Sequence, residues 1–301
     1  MRASRLILLC TLLTTGVSAS PVPGTQVDIV PPAGFTKADR FAGFMNATTG
    51  ASIVVTDIPG AFREVTAGFN DPVRMKAQGM QVLDRTELRV DKHEAVLLHV
   101  TQEASGILFD KWLLAVDRNA NTTLVVATYP HSVAEQQSEP LKAALLGVTF
   151  GEPGDPLSAL PFRVTAVAPL QPARVIGNVL IMSPQGQFPV TDESVPFLLV
   201  GRSISPGEGG GRQLAEERVA RAVGVQRVAI EHTDPVTIGA LSGFVTVAQA
   251  VSAQQAIPLK VYQAMLFEPQ GYVLIQGITP AEQQQTYLPL FEQVAQSLTL
   301  R

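Results

Sequence analysis

The sequence has few of the residues that crosslink a chain or bind a metal. Among its 301 residues are one cysteine, four histidines and one tryptophan. The single cysteine, Cys10, excludes an intramolecular disulfide and any metal site that needs several thiolates. Apolar residues, by contrast, make up 46% of the chain. The sequence therefore predicts a fold that depends on a hydrophobic core.

Charged residues are also sparse. They make up 16% of the chain, and the formal net charge is -4. Binding to nucleic acid or to anionic lipid usually requires a basic patch, which a mildly acidic chain without runs of lysine or arginine does not provide. The composition therefore argues against nucleic acid as a partner.

Long apolar stretches are missing after the first twenty residues. At the N-terminus, Arg2 and Arg5 precede an apolar run over 6–13, and small residues follow it. This order is typical of a secretory signal peptide, predicted here as 1–19 with cleavage between Ala19 and Ser20. The run is too short to be a membrane anchor, which needs about 20 apolar residues.

Cleavage would remove the only cysteine. An exported protein without disulfides fits a bacterial periplasm better than an animal extracellular space, where small domains are usually disulfide-bonded. The sequence thus predicts an exported protein of a bacterial periplasm, with no transmembrane segment after signal removal.

One pattern of residues occurs twice. "KWLLAVDRNANTTLVVATYP" (111–130) and "KVYQAMLFEPQGYVLIQGITP" (260–280) both read as two apolar strands around a short turn, and each is followed by an amphipathic segment. On this alignment Lys111 corresponds to Lys260 and Pro130 to Pro280. We expect Thr279 to cap the last helix, with Pro280 as its first residue and Glu282 completing a capping box.

The repeat extends upstream. Hairpin-like runs at 89–102 and 237–249 correspond to each other, as do strand-like runs at 51–59 and 196–206. Helix-like stretches follow, around 61–80 and 212–224, and Asn70-Asp71-Pro72 predicts a break in the first.

These repeats predict two domains, at 27–150 and 162–301, joined by a linker rich in proline and glycine at 151–161. The predicted fold class is α+β. Each domain would be an α/β/α sandwich with a central antiparallel sheet and flanking helices.

The order of elements resembles the PsbP-like fold, the family of the extrinsic subunit of photosystem II and of many bacterial exported proteins. The resemblance is carried by "PPAGFTKADRFAGFMNATTGASIVVTDIPGAF", with its Gly34-Phe35 pair, and by "KWLLAV" and "TTLVVATYP" before the closing helix. The second copy lacks the Gly-Phe pair. Its assignment to the same fold rests on the internal repeat. The resemblance implies an α/β/α sandwich around an antiparallel sheet and a tendency to bind proteins, and none of the motifs that carry it is catalytic.

The densest group of titratable residues is Asp91, His93, Glu94 and His99. On a strand, Asp91, His93 and His99 would share one face, because they are separated by even numbers of residues. Such a group could bind a metal or supply a general base. The alternative is a polar hairpin turn with a half-buried His99. No histidine occurs at 237–263, so the second copy lacks any such site.

Three functions remain open. The first, which we favour, is a non-catalytic binding or accessory protein that contacts an envelope protein and has no cofactor. The second is a hydrolase-like enzyme or small-ligand binder with a site in the first domain or at the domain interface. The third is a metal-binding accessory protein that uses Asp91, His93 and His99. The sequence does not specify the oligomeric state.

Overall fold

A computed structural model describes residues 19–104, 106–188, 192–204, 211–269 and 271–301. Most of the predicted signal peptide lies outside these residues, so cleavage and export stay predictions. We call 19–150 the first half and 151–301 the second half. No helix within the described ranges is long and apolar enough to cross a membrane.

The described residues of the first half form ten strands, of which four are long and consecutive. The strands are β1 (Ser20–Pro21), β2 (Val27–Ile29), β3 (Thr36–Lys37), β4 (Gly43–Asn46), β5 (Ala51–Pro59), β6 (Met80–Val90), β7 (His93–Ala104), β8 (Ile107–Arg118), β9 (Asn121–Pro130) and β10 (Thr149–Phe150). The four long strands pair in chain order as an antiparallel meander, β6 with β7, β7 with β8 and β8 with β9.

Seven of these strands form one antiparallel sheet in the order β3-β4-β5-β9-β8-β7-β6. A smaller sheet in the order β1-β2-β10 joins the start of the first half to its end. The long strand β6 therefore lies at one edge of the large sheet and pairs with β7 alone among the described strands.

The second half repeats this arrangement. Its large antiparallel sheet has the order β12-β13-β14-β18-β17-β16-β15, and β11 pairs with β19 as a small separate sheet. The strands are β11 (Phe162–Arg163), β12 (Gln171–Ile176), β13 (Val179–Ser183), β14 (Phe197–Arg202), β15 (Val225–Ile238), β16 (Leu241–Ser252), β17 (Pro258–Glu268), β18 (Gly271–Pro280) and β19 (Thr299–Leu300).

Short helices pack on both faces of each sheet, although they cover only part of it. Residues of α2 pack on one face of the first sheet and residues of α3 on the other; α4 and α5 do the same for the second sheet. The helices are α1 (Phe62–Ala67), α2 (Pro72–Ala77), α3 (Ala134–Leu146), α4 (Arg212–Ala220) and α5 (Gln284–Gln296), with 3-10 turns at Gly68–Asn70, His131–Val133 and Ala281–Gln283.

The expected antiparallel sheets are present, and the chain is a mixed, sheet-rich fold. The predicted break at Asn70-Asp71-Pro72 also occurs, because Asp71 ends the 3-10 turn and its carboxylate accepts hydrogen bonds from the first turn of α2. The helical cover is sparser than the predicted α/β/α sandwiches imply.

The predicted capping box at Thr279 is wrong. Thr279 is a buried strand residue that pairs with Lys260, and Pro280 still belongs to β18. The backbone of Pro280 is extended, with ψ of 140°, and α5 begins only after a 3-10 turn, without a side-chain cap. Strand pairing keeps this segment extended where the local sequence favours a helix start.

The predicted alignment of the two copies is also one residue out in the strands. Asp110 pairs with Tyr129 in the first half, and Lys260 pairs with Thr279 in the second half. Lys260 follows Asp110 by 150 residues, and Thr279 follows Tyr129 by the same 150 residues. Lys260 is therefore the counterpart of Asp110, and Val261 is the counterpart of Lys111. Burial lowers the pKa of Lys111, and the second half has no cation in that position.

Candidate functional site

Asp91 and His93 lie at the hairpin between β6 and β7. Asp91 and Lys92 form its two-residue turn with φ of 44° and 73°, values typical of a type I′ turn. The Asp91 carboxylate accepts a hydrogen bond from the backbone N–H of Phe150 at 3.0 Å. His93 Nε2 lies 2.6 Å from Arg118 Nη1. Both side chains therefore connect this turn to neighbouring chain segments.

His99 lies far along the same strand. Six residues separate it from His93, which at about 3.3 Å per residue corresponds to roughly 20 Å. His99 and His93 do share a face of β7, but the structure does not bring Asp91, His93 and His99 together. Among the described residues, no group of three or more His, Cys, Asp or Glu side chains is arranged to hold a metal ion.

His99 instead belongs to a cluster that the sequence analysis missed, the histidine–aspartate cluster of His99, Asp110 and His131. Asp110 is buried at the end of the face covered by α3. His131 Nδ1 lies 2.6 Å from one of its carboxylate oxygens, and His99 Nε2 lies 3.5 Å from the other without forming a hydrogen bond. The only sign of this cluster in the sequence is that three consecutive strand-like segments, which became β7, β8 and β9, can pair with one another.

Aromatic and hydroxyl groups surround this cluster. The ring of His99 stacks on Trp112 with centroids 4.1 Å apart. Trp112 Nε1 and the Tyr129 hydroxyl both donate hydrogen bonds to Ser138 Oγ, at 3.1 and 2.9 Å. Burial raises the pKa of Tyr129, so this hydroxyl remains protonated at neutral pH. Asp110 can orient His131 in the way that an aspartate orients the histidine of a catalytic triad. None of the three cavities described below, however, is lined by these side chains.

The second half replaces the whole histidine–aspartate cluster. Val247 stands in place of His99, Lys260 in place of Asp110 and Ala281 in place of His131. The Lys260 ammonium forms an ion pair with Glu231, which belongs to a bulge in β15. Hydrogen bonds from Lys260 and Gln249 lower the pKa of Glu231. The same framework position thus carries unrelated polar groups in the two halves.

The two edge strands differ in how well they are protected against strand addition. In β6, ten of eleven residues are exposed or half-buried, and the pairing with β7 has one bulge, between Val82 and Asp84. β15 has two bulges, a left-handed residue at Arg227 with φ of 54°, and Pro235 within the strand. Bulges, edge prolines and charged side chains are among the means by which sheet edges avoid pairing with other chains, and β15 has more of the first two than β6. The outer edge of β6 from Asp84 to Val90 is long, regular and free of proline.

A groove of about 650 Å³ runs beside β6, and we call it the first edge groove. It lies between α1 and the ends of β6 and β7, and five of its lining side chains are charged. Of these, Arg85 and Glu87 form an ion pair at 2.9 Å. Arg63, Arg89 and Glu94 form no ion pair with another described residue. The charged lining residues are Arg63, Arg85, Glu87, Arg89 and Glu94.

An equivalent groove of about 670 Å³ lies beside β15, and we call it the second edge groove. Here Pro235 replaces Glu87, Thr237 replaces Arg89 and Phe244 replaces Val96, as the strand pairing shows. The rings of Phe244 and Phe267 are 6.4 Å apart and nearly perpendicular. None of the described side chains that line this groove is charged.

A third cavity, of about 390 Å³, lies at the junction of the two halves. It is bordered by the linker and by β12, and its polar lining includes Asp57, Asn121 and Arg174. Arg174 Nη2 donates a hydrogen bond to Asn121 Oδ1 at 2.8 Å, across the junction.

Beside the junction cavity, Glu268 lies between two arginines. Arg202 binds its carboxylate with two hydrogen bonds, at 2.9 and 2.6 Å, and Arg40 of the first half lies 3.7 Å away. Arg40 also donates hydrogen bonds to the backbone carbonyl and the hydroxyl of Ser203. Burial lowers the pKa of Arg40, and the nearby Glu268 opposes that effect. We call Arg40, Arg202 and Glu268 the junction triad.

Trp112 and Tyr262 are both buried and occupy equivalent places. The Tyr262 hydroxyl has no hydrogen-bond partner among the described residues, and burial strongly raises its pKa.

Comparisons with known proteins show only distant likeness. No protein-family model matches the sequence, and no curated protein matches it either. The apo structure of the immunity protein TplEi of the type VI secretion system from Pseudomonas aeruginosa has 10% identity and a TM-score of 0.32, and the match covers 96% of this chain and 98% of that one.

Two other solved structures are similar to parts of the chain. Cyanobacterial PsbP (CyanoP) from Synechocystis sp. PCC 6803 has 11% identity and a TM-score of 0.32, over 47% of this chain and 98% of that one. The Pseudomonas aeruginosa protein PA94, of unknown function, has 15% identity and a TM-score of 0.31, over 40% and 81% respectively. At these TM-scores the likeness supports neither a fold family nor a function, so the PsbP-like fold stays a prediction.

Proposed function

We propose that this chain is an exported, non-catalytic binding protein that acts by contact with a protein of the cell envelope. The observation that carries the proposal is the outer edge of β6, whose seven residues from Asp84 to Val90 are regular and without proline. An edge of this kind is a template for an added strand, because its outward N–H and C=O groups have no sheet partner.

The second half supports this reading by contrast. Its corresponding edge, β15, is interrupted by two bulges and by Pro235. Two edges with the same place in their sheets therefore differ in their capacity to pair. A protein that only needed to stay monomeric would benefit from the same protection on both, so β6, which has fewer interruptions, is the better candidate for a binding surface.

We propose further that the two halves are tandem PsbP-like domains, at 27–150 and 162–301, with 151–161 as the linker. The matching strand orders of the two large sheets support this division. We also propose that the protein is exported to a bacterial periplasm, which is supported by the basic and apolar N-terminal residues and by the small residues before the predicted cleavage between Ala19 and Ser20.

Site-specific photocrosslinking tests this proposal. A photoreactive amino acid replaces Thr86 on β6 in one variant and Asp234, the matched position on β15, in another; both residues are exposed. In cells that make the tagged protein, we expect one reproducible envelope protein to be crosslinked at Thr86 and not at Asp234. Equal capture at both positions, or none at Thr86, would contradict the proposal.

The junction cavity favours a second candidate function, the binding of a small polar ligand. Its volume of about 390 Å³ lies within the range of small-molecule sites, and Asp57, Asn121 and Arg174 supply acceptors and donors. Native mass spectrometry of protein purified from its own compartment would reveal a retained small molecule. Loss of that molecule in an Arg174→Ala variant would support this candidate, and its absence from the unaltered protein would count against it.

A further inference from the structure

The first edge groove carries an ordered pattern of charge. Arg85, Glu87 and Arg89 alternate along β6 on the face that α1 covers, since residues two apart share a face. The sequence of charges along this face is positive, negative, positive. Arg63 of α1 adds a further positive charge to the same groove.

The charges of this groove are not balanced internally. Arg85 and Glu87 form an ion pair, whereas among the described residues Arg89 donates only to the backbone carbonyl of Lys92. With Glu94 as the other carboxylate of the lining, three arginines face two glutamates. The groove therefore favours a partner that brings more negative than positive charge.

The opposite face of β6 has a different chemistry. Leu88 and Val90 point toward the core that α3 covers, and Leu88 is only half-buried there. A strand added to β6 would place alternate side chains against each of these two faces. On the α3 side, a residue opposite Leu88 would complete the apolar surface there, and its neighbour two positions along would cover the exposed Thr86.

We propose that the β6 edge binds an extended protein segment in which acidic, apolar, basic, apolar and acidic residues follow one another. This inference rests on the proposed function and names the partner's chemistry. The two acidic side chains lie opposite Arg85 and Arg89, and the basic one lies opposite Glu87. Because this pattern reads the same in both directions, it is complementary to β6 in either a parallel or an antiparallel arrangement.

The same charges oppose one form of self-association. If two copies paired through β6 in antiparallel register centred on Glu87, then Glu87 would face Glu87 and Arg85 would face Arg89. Like charges directly opposite each other destabilise a pair of strands. The charge pattern therefore disfavours this pairing of two copies and favours a partner strand with complementary charges.

Two designed hairpin peptides test the inference. One presents Glu-Val-Lys-Val-Glu on its free strand, and the matched control presents Lys-Val-Glu-Val-Lys; both are labelled for fluorescence anisotropy and titrated with the full chain at low salt. A hairpin is used because a preformed strand loses less conformational freedom on binding. We expect the first peptide to bind at least about tenfold more tightly than the second, and the difference to shrink as salt is added.

A charge-exchanged protein gives the decisive comparison. In a variant with Arg85→Glu, Glu87→Lys and Arg89→Glu, we expect the preference between the two peptides to reverse. An Arg212→Glu variant, altered beside the second edge groove, should keep the original preference. If the exchanged variant does not fold, as checked by its thermal melt, Arg89→Glu alone should reduce the preference.

Failure of this inference can be told from failure of the proposed function. Equal binding of both peptides, no binding of either, or an unchanged preference after charge exchange would overturn the charge pattern. If crosslinking at Thr86 still captures an envelope protein, the proposed function stands with a partner of other chemistry. A dimer that forms in sedimentation experiments and is lost on charge exchange would also overturn the inference, because β6 would then bind its own copy.

Discussion

The edge strands β6 and β15 occupy the same place in two sheets of the same strand order, yet they differ in charge and regularity. Among the described residues, β6 carries charged residues along its groove and has one bulge, whereas β15 has no charged side chain in its groove and has two bulges and a proline. The interior shows a similar contrast, since the histidine–aspartate cluster of the first half is replaced by the Lys260–Glu231 ion pair in the second. The shared framework therefore fixes where side chains lie and leaves their chemistry free to differ. Function has to be sought where the halves differ.

The largest expected effect concerns packing, where the halves use different residue sizes. A Cβ atom at Gly277 would lie 2.4 to 2.6 Å from ring atoms of Phe291, whereas the first half has Ala127 and Leu141 in the equivalent places. We expect Gly277→Ala to lower the free energy of unfolding by about 1–3 kcal/mol through overpacking. Urea denaturation measures this change.

A second substitution checks the cause of that loss. Adding Phe291→Leu to Gly277→Ala recreates the residue pair of the first half, and we expect it to recover part of the lost stability. If the double variant is less stable than Gly277→Ala alone, the two halves do not share this packing arrangement.

The next largest effect concerns the ion pair of the second half. Glu231→Gln leaves the Lys260 ammonium, whose side chain is only 9% exposed, without its counter-charge. We expect a loss of about 1–2 kcal/mol in the free energy of unfolding, the range typical of a buried polar group deprived of its partner. Thermal and urea unfolding would both report it.

The first half supplies the control for this prediction. Leu83 occupies the corresponding bulge of β6 and is exposed. Leu83→Gln is expected to change stability by less than about 0.5 kcal/mol. Equal losses in the two variants would show that the bulge, and not the ion pair, determines the cost.

A smaller effect concerns pH. Since the pKa of Glu231 is lowered from 4.5 in the folded state, the folded protein binds this proton less readily than the unfolded chain. Its contribution to stability is therefore present above pH 4.5 and is lost as pH falls through the lower folded-state pKa. We expect the difference in urea midpoint between the Glu231→Gln variant and the unaltered protein to become smaller as the pH is lowered from 6 to 3. A constant difference across that range would contradict this assignment.

The smallest effect on stability is expected at the proposed binding edge. Arg85→Ala removes an exposed ion pair with Glu87, and such pairs contribute about 0–1 kcal/mol. We expect a change below about 0.5 kcal/mol in unfolding, together with weaker binding of the acidic hairpin peptide. A large loss of stability would mean that Arg85 serves the fold and not a partner.

Much of the framework was predictable from the sequence. Alternating apolar residues predicted β5 over Ala51–Pro59, and the hairpin strands β8 and β17 were found within a few residues of their ends. These segments are long and periodic, so local pattern and tertiary structure agree. Thr279 was misread because the local helix-start signal is overridden by pairing between β17 and β18.

The candidate sites were less predictable. Asp91, His93 and His99 are close in sequence, but an extended strand separates them. His99, Asp110 and His131 are distant in sequence and come together only through the pairing of β7, β8 and β9. The edge groove likewise depends on which strand lies outermost, and consecutive hairpins alone do not specify that the sheet ends at β6.

The junction triad has a consequence for the order of assembly. Arg40 and Ser203 are separated by 163 residues, so their hydrogen bonds can form only when a folding chain has completed the relevant parts of both halves. A fragment cut within 151–161 would carry Arg40 without Glu268, or Glu268 and Arg202 without Arg40, and would present those groups to water. Each separated fragment would thus expose a surface that is buried in the whole chain. The affinity measured on mixing the two fragments would show directly how strongly the two halves bind each other.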